Sequence, residues 1–153
     1  MPHSADRALA EGFARAIPHS AAIGQEVLSV CDGEARMRQP YRVELLGDAE
    51  RGLIHTAVQI TLVDSAFGVA VFSALGAQES IATLDLRVDY HRPAVAGADL
   101  FALAQVERVT RQVVFVSGRV WQGEDPDKAT AVARASFMRA ANAQRPVARE
   151  AGE

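Results

Sequence analysis

The longest apolar stretch of this chain, residues 53–75, contains a single carboxylate, Asp64. A segment as apolar as this one is normally buried on all sides. An ionised carboxylate that is buried without a partner is costly enough to shift its own pKa. Asp64 is therefore a candidate functional residue. The alternative is a structural role, in which the carboxylate accepts a hydrogen bond from a neighbouring hydroxyl such as that of Thr61 or Ser65.

The same stretch is long enough to cross a bilayer. It carries the polar residues His55 and Gln59 as well as Asp64, which favours the core of a protein over a membrane span. We find no charged segment followed by an apolar leader, and the single Cys31 excludes an intramolecular disulfide. We therefore expect a cytoplasmic protein with no membrane partner.

The composition predicts one globular domain over residues 1–153, the usual length of a single domain. Apolar residues make up 49% of the chain and charged residues 23%, which is ordinary for a protein with a packed core. The net charge of −3 provides no basic surface for nucleic acid, so we expect no nucleic-acid partner. A short helix is predicted over residues 4–17 and a polar tail over residues 140–153.

Turn residues and hydrophobic periodicity divide the rest of the chain into elements. Asp32-Gly33 joins two strand-like runs, residues 23–31 and 34–45, and predicts a hairpin. The apolar stretch predicts a long helix that Gly76 ends. After that helix the period changes to two, and four strands are predicted at residues 81–91, 99–109, 112–122 and 129–139. This order predicts an α+β fold in which a meandering antiparallel sheet wraps around one long helix.

The start of the long helix could take part in chemistry. The first turn of a helix has unpaired N–H groups and the positive end of the helix dipole, which together can stabilise an oxyanion. Asp64 follows two turns later and could act as a general base or as a nucleophile. No histidine lies at a recognisable metal-ligand spacing from a carboxylate, so we expect neither a metal nor a cofactor.

Similarity to a known family lies in four segments: Pro40–Asp48, Gly52–His55, Leu62–Gly68 and the strand and turn at Thr83–Pro93. Together they resemble the hotdog-fold acyl-CoA thioesterases of the phenylacetate-degradation (PaaI-like) type. In that family, His-Gly-Gly opens the central helix and the catalytic Asp comes nine positions after the His, which is the separation of His55 and Asp64. The resemblance extends over about residues 23–139 and implies the hotdog fold, an antiparallel sheet around a central helix.

The resemblance also implies roles for individual residues. Asp64 would be the general base or the nucleophile. The backbone N–H of Thr56 would donate to the thioester oxygen, and Thr83 would help to hold the attacking water. Asp48 lies where many members have Asn or Asp near the thioester. The expected substrate-binding residues are Asp48, His55, Ala57 and Gln59. We interpret His55 as bracing the loop and the helix start, and the sequence leaves open whether Gln59 lines the pocket or faces a partner helix.

Active sites of this family form between two subunits, so the resemblance implies a homodimer that can pair into a tetramer, with acyl-CoA as substrate. One departure from the family pattern is Thr56-Ala57 in place of Gly-Gly, which puts side chains into space that glycine leaves free. Two functions therefore stay open: a thioesterase, and a non-hydrolytic protein that binds acyl-CoA or another apolar ligand. A hydratase would need His55 and Asp64 in one site, but they lie about half a rotation apart on a helix.

Overall fold

The computed structural model describes residues 16–76 and 79–140, together with Ala8 and Gly12. The helix predicted over residues 4–17 therefore lies almost entirely outside the described residues. The predicted tail at 140–153 also lies outside them, except for Ala140, which ends the last strand. The described residues include a six-stranded antiparallel sheet and one 20-residue helix, and all six strands of the sheet contact this helix. This is the predicted α+β arrangement of the hotdog fold.

The elements follow one another closely along the chain. A short 3-10 turn, Val43–Leu45, lies between β2 and β3. In chain order the helices and strands are α1 (Pro18–Ile23), β1 (Glu26–Cys31), β2 (Glu34–Gln39), β3 (Leu46–Asp48), β4 (Leu53–Ile54), α2 (Thr56–Leu75), β5 (Ser80–Tyr90), β6 (Leu100–Val109), β7 (Val113–Gln122) and β8 (Ala129–Ala140).

Helix α2 forms the centre of the core. Within the described residues it is the one helix long and apolar enough to cross a membrane, but the sheet covers it and half of its side chains are buried. Its Phe67 packs directly on the sheet at Gly118. A Cβ at Gly118 would lie 2.6 Å from Phe67 Cε1 and 2.3 Å from the Leu103 carbonyl oxygen. Glycine is therefore required at this position for the helix to pack this closely against β6 and β7.

The strand order in the sheet is β1-β2-β6-β7-β8-β5. The prediction of a simple meander is therefore wrong for β5, which pairs with β8 at the far edge and does not pair with β6. The connection from β5 to β6, residues 91–99, is long enough to cross the end of the helix. The Ile54 N–H donates to the Ala94 carbonyl in this connection, at 2.9 Å. Local patterns reveal strands but not the crossover between them, because pairing partners depend on tertiary packing.

The elements before the long helix differ from the predictions at three places. The helix predicted to end at residue 17 is followed directly by a second helix, α1, which was not predicted. Its first residue is Pro18, a position where the fixed φ of proline and its missing N–H are tolerated. Strand β2 ends at Gln39, before Pro40. Between β2 and the long helix, β3 and β4 form a small hairpin that was not predicted. These two strands are too short to show a period in the sequence.

The sheet has two edges, β1 and β5. Strand β5 has 11 residues and pairs with β8 on one side only. Each edge strand carries a bulge with an exposed leucine at the extra position, Leu28 in β1 and Leu84 in β5. An unpaired strand of this length can accept another strand. The β5 edge also lies beside the apolar face of α2 that carries Asp64.

Candidate active site

Asp64 and Thr83 form a pair between α2 and β5. The Thr83 hydroxyl donates a hydrogen bond to Asp64 Oδ1 at 3.1 Å. Asp64 is partly buried and Thr83 is exposed. Thr61, Asp64 and Gly68 share one face of α2 because they follow the helical spacing of three and four residues. The sequence-predicted pair is therefore in direct contact in the folded chain.

A cavity of about 490 Å³ opens next to this pair. It lies between α1, the Asp64 face of α2, and β5. Most of its wall surface consists of apolar atoms, half of its twelve lining residues have polar side chains, and Asp64 is the carboxylate among them. The lining residues include Ile17, Ile60, Ile81, Leu86 and Phe137. A carboxylate with an apolar cavity in front of it can act on the reactive end of an apolar ligand.

The surroundings of Asp64 change its acidity. Burial raises the pKa of the carboxyl above its ordinary value of 3.8, and the hydrogen bond from Thr83 opposes this by lowering the pKa. The burial effect is the larger of the two, because removal from water penalises the charged form. A carboxylate with a raised pKa is a stronger base than one on the surface.

The start of α2 is held by His55, the N-cap residue. The His55 Nδ1 accepts the Ala57 N–H at 3.1 Å, and the His55 carbonyl accepts the Val58 N–H at 3.0 Å. The Thr56 N–H has no acceptor among the described residues. Gly47 of the β3–β4 hairpin permits this arrangement, since a Cβ there would lie 2.9 Å from His55 Cα.

Thr56 and Asp64 are eight residues apart on one straight helix, or about 12 Å along its axis at 1.5 Å per residue. Thr56 lines a different cavity, of about 370 Å³, at the start of the helix. Within the described chain, therefore, one protomer does not bring the predicted base and the predicted N–H donor to the same point. Each cavity contains part of the predicted site.

Gln59 lies in the wall of this second cavity and is 1% exposed. Its Oε1 accepts the Thr130 hydroxyl at 2.7 Å, so the side chain points towards strand β8. Tyr90, which the sequence analysis did not single out, also lines the cavity, and its hydroxyl donates to the Thr56 carbonyl at 3.4 Å. A tyrosine that ends an edge strand next to the Pro-containing turn was the available signal.

The remaining predicted binding residues lie outside both cavities. Asp48 accepts the Arg51 N–H at 3.0 Å within the β3–β4 turn, and Ala57 has its N–H bound by His55. Their roles in substrate binding stay predictions. In the part of the chain that the structure describes, no three side chains of the metal-binding types come together. Helix α1, which contributes His19 and Ser20 to the wall of the Asp64 cavity, was not predicted, because a proline can end a helix or begin one.

The chain is similar to known proteins in sequence and in fold. Residues 51–129 match the model of the Thioesterase superfamily. A Halobacterium salinarum protein that is provisionally named an esterase is 42% identical over 90 residues, which are 57% of this chain; the chain spans 58% of that relative's length.

Solved structures match over more of the chain. A Pseudomonas aeruginosa protein has a TM-score of 0.80 at 32% identity, covering 88% of this chain and 99% of its own. A mutant of the phenylacetic acid degradation protein PaaI from Thermus thermophilus has a TM-score of 0.71 at 28% identity, covering 81% of this chain and 100% of its own.

Proposed function

The chain belongs to the thioesterase superfamily, and from this premise we propose that it hydrolyses acyl-CoA thioesters to the free acid and CoA. Membership of the superfamily supports a thioesterase activity in general; the substrate class and the residue roles are our proposal. The observation that carries it is the partly buried Asp64, bound by Thr83 in front of an apolar cavity.

In the proposed reaction, Asp64 acts as the general base. It removes a proton from a water molecule that Thr83 helps to hold, and the water oxygen bonds to the thioester carbonyl carbon. The carbonyl oxygen becomes an oxyanion. When the C–S bond breaks, the sulfur leaves as a thiolate and the oxygen returns to a carbonyl. Attack by the Asp64 carboxylate itself, through an anhydride, is the alternative with the same residue.

The oxyanion needs a donor, and the Thr56 N–H is suited to this role. The N–H groups of Ala57 and Val58 already donate hydrogen bonds to His55, whereas the Thr56 N–H has no acceptor among the described residues. It also lies at the positive end of the helix dipole. The Thr56 side chain replaces the glycine of the family pattern and narrows the approach to this N–H.

Because Thr56 and Asp64 of one protomer are too far apart, we propose that the active site forms between two copies of the chain. The unpaired edge of β5 is the surface for this dimer. When one strand pairs antiparallel with its own copy, its first half lies against the second half of the partner. Thr83 lies in the first half and Tyr90 ends the second. Such pairing brings Asp64 and Thr83 of one protomer close to the helix start of the other.

In this dimer the acyl group would occupy the apolar cavity beside Asp64, with the nucleotide end of CoA towards the surface. Apolar side chains on the outer face of the sheet, among them Phe115 and Met138, are exposed. This face could join two dimers into a tetramer.

The proposal is tested by following thiol release, with a thiol-reactive dye, from short, medium, long and aromatic acyl-CoAs. We expect turnover of at least one of them by the wild-type protein. The rival is a non-hydrolytic binding protein, which the side chains of Thr56 and Ala57 at the helix start favour. Acyl-CoA that raises the melting temperature but releases no thiol would support that rival and contradict hydrolysis.

A further inference from the structure

A further cavity, of about 680 Å³, lies on the outer face of the sheet, the face that points away from α2. Residues of β5, β6, β7 and β8 form it, together with the turn between β7 and β8, and neither half of the proposed active site lines it. Its volume is within the range of cavities that hold a small molecule. Its charged side chains are three arginines and two aspartates: Arg87, Arg119, Arg134, Asp89 and Asp127.

The strand register places the three arginines next to one another. Arg87 of β5 and Arg134 of β8 are direct partners in the sheet. Arg134 is also the partner of Ser117 of β7, and Arg119 lies two residues further along that strand, so Arg119 is a diagonal neighbour of Arg134. The residues on either side of Arg87 and Arg134 pack in or against the core. Because side chains alternate along a strand, both arginines therefore point to the outer face.

The aspartates of the cavity neutralise two of these arginines. Asp89 accepts hydrogen bonds from Arg87 Nε and Nη2, both at 3.1 Å, and Asp127 accepts one from Arg119 Nη1 at 2.9 Å. Arg134 has no ion-pair partner among the described residues. Like charges directly opposite on two strands are destabilising. The cavity therefore holds a positive charge that the described side chains do not neutralise, in a chain whose net charge is −3.

A phosphate group is the complementary ligand for this cluster. Guanidinium N–H groups match phosphate oxygens in geometry and in charge. A phosphate has three terminal oxygens and can accept from three arginines at once, whereas each aspartate of the cavity binds a single arginine. The apolar Leu103 and Val132 line the same cavity and could contact the rest of a phosphorylated molecule.

We propose that this cavity binds a small phosphorylated molecule, whose phosphate group accepts hydrogen bonds from Arg134, Arg87 and Arg119. The ligand is separate from the thioester substrate, because the sheet lies between this cavity and the helix that carries Asp64. His91 is the described residue that this cavity shares with the cavity at Thr56. The assignment does not depend on hydrolysis of a thioester.

The first test is calorimetric titration of the full chain with inorganic pyrophosphate. We expect the wild type to bind it, and Arg134→Met, which removes the charge but keeps a long unbranched side chain, to bind at least about tenfold more weakly. Arg111→Met is the matched control, because Arg111 is an exposed arginine of the β6–β7 turn outside this cavity. It should bind as the wild type does. No binding to the wild type, or equal affinities of all three proteins, would overturn the proposal.

Thermal unfolding separates a binding role of Arg134 from a structural one. Because Arg87 lies opposite Arg134, Arg134→Met should melt no lower than the wild type in the absence of anions. Pyrophosphate should raise the melting temperature of the wild type and leave that of the variant unchanged. A variant that melts below the wild type without pyrophosphate would indicate a structural role for the Arg134 charge and would contradict the proposal.

Competition with CoA tests whether the ligand is a separate molecule, since CoA carries phosphate groups of its own. We expect the affinity of the wild type for pyrophosphate to be the same with and without saturating CoA. Displacement of pyrophosphate by CoA, together with weaker CoA binding by Arg134→Met, would assign the cavity to the substrate and overturn the proposal of a separate ligand. The presence or absence of thiol release has no bearing on either titration.

Discussion

At the scale of single residues, the chemistry depends on the balance of two effects at Asp64. Burial raises the pKa of its carboxyl and the Thr83 hydroxyl lowers it. Without Thr83 the carboxylate would be a stronger base but would be protonated over a wider range of pH. With Thr83 it has a partner that can also orient water. The pair is therefore better interpreted as a tuned base than as a satisfied structural aspartate.

The pH profile tests this balance. Since a general base acts in its ionised form, kcat/KM should rise with pH through the pKa of Asp64 and then level off. Thr83→Val removes the effect that lowers this pKa, so the acid limb of the profile should move to higher pH. Thr83→Ser keeps the hydroxyl and should leave the limb in place. An acid limb that is the same in the wild type and in Thr83→Val would contradict the assignment of the limb to Asp64.

At the scale of elements, the position of α2 is set at its start by the β3–β4 hairpin. The backbone of Gly47 lies directly against His55, the N-cap residue that holds the first turn. The His55 N–H also donates to the Leu45 carbonyl at 2.9 Å. The helix start, and with it the Thr56 N–H, is therefore located by contacts with a short hairpin.

Gly47→Ala should disturb this contact, because its Cβ would come within about 3 Å of three His55 atoms. Overpacking of this kind costs about 1–3 kcal/mol, and a displacement of about 1 Å at a reacting centre can reduce the rate about 10²-fold. We expect a large loss of kcat with a small loss of thermal stability. Gly12→Ala is the control, since nothing lies within 4 Å of its added Cβ. Equal activity of the two variants would contradict this role of the hairpin.

The sequence predicted the elements that have strong local signals. These include the Asp32-Gly33 hairpin, the Gly76 helix end and the four long strands after it. It did not predict α1, because a proline can end a helix or begin one. It also did not predict the position of β5, because edge pairing with β8 is a tertiary property. The expectation that Asp64 and Thr83 act on one water molecule came from the family resemblance. Their direct hydrogen bond, the buried carboxamide of Gln59 and the hydroxyl of Tyr90 needed coordinates.

At the scale of the whole molecule, the account requires two copies of the chain. Asp64 and Thr56 line separate cavities, and the long edge of β5, which pairs with β8 on one side only, lies next to both. The β1 edge is shorter and lies at the opposite side of the sheet. A substitution that prevents two copies of the chain from associating through β5 should therefore also reduce activity.

Exposed bulge leucines on the two edges provide a matched pair of variants. A lysine on an edge strand opposes strand pairing, so Leu84→Lys on β5 should sediment as a monomer and lose at least about tenfold in activity. Leu28→Lys on β1 should remain a dimer with activity close to that of the wild type. An active monomeric wild type, or a fully active dimer of Leu84→Lys, would contradict the shared site.

The most direct test is the kcat of Asp64→Asn on the best acyl-CoA substrate, with Asp125→Asn in the exposed turn between β7 and β8 as the control. We expect Asp64→Asn to lose about 10²–10⁴-fold in kcat, the usual contribution of a general base, and Asp125→Asn to keep its activity.

The Asp64→Asn variant should fold at least as stably as the wild type at pH 7. A raised pKa in the folded state means that the ionised Asp64 lowers stability above its folded pKa, and this penalty disappears below the unfolded value. Loss of kcat with intact folding and acyl-CoA binding is the predicted result. A folded Asp64→Asn that turns over within about threefold of the wild type, far less than the loss of a general base would cause, would contradict the central claim.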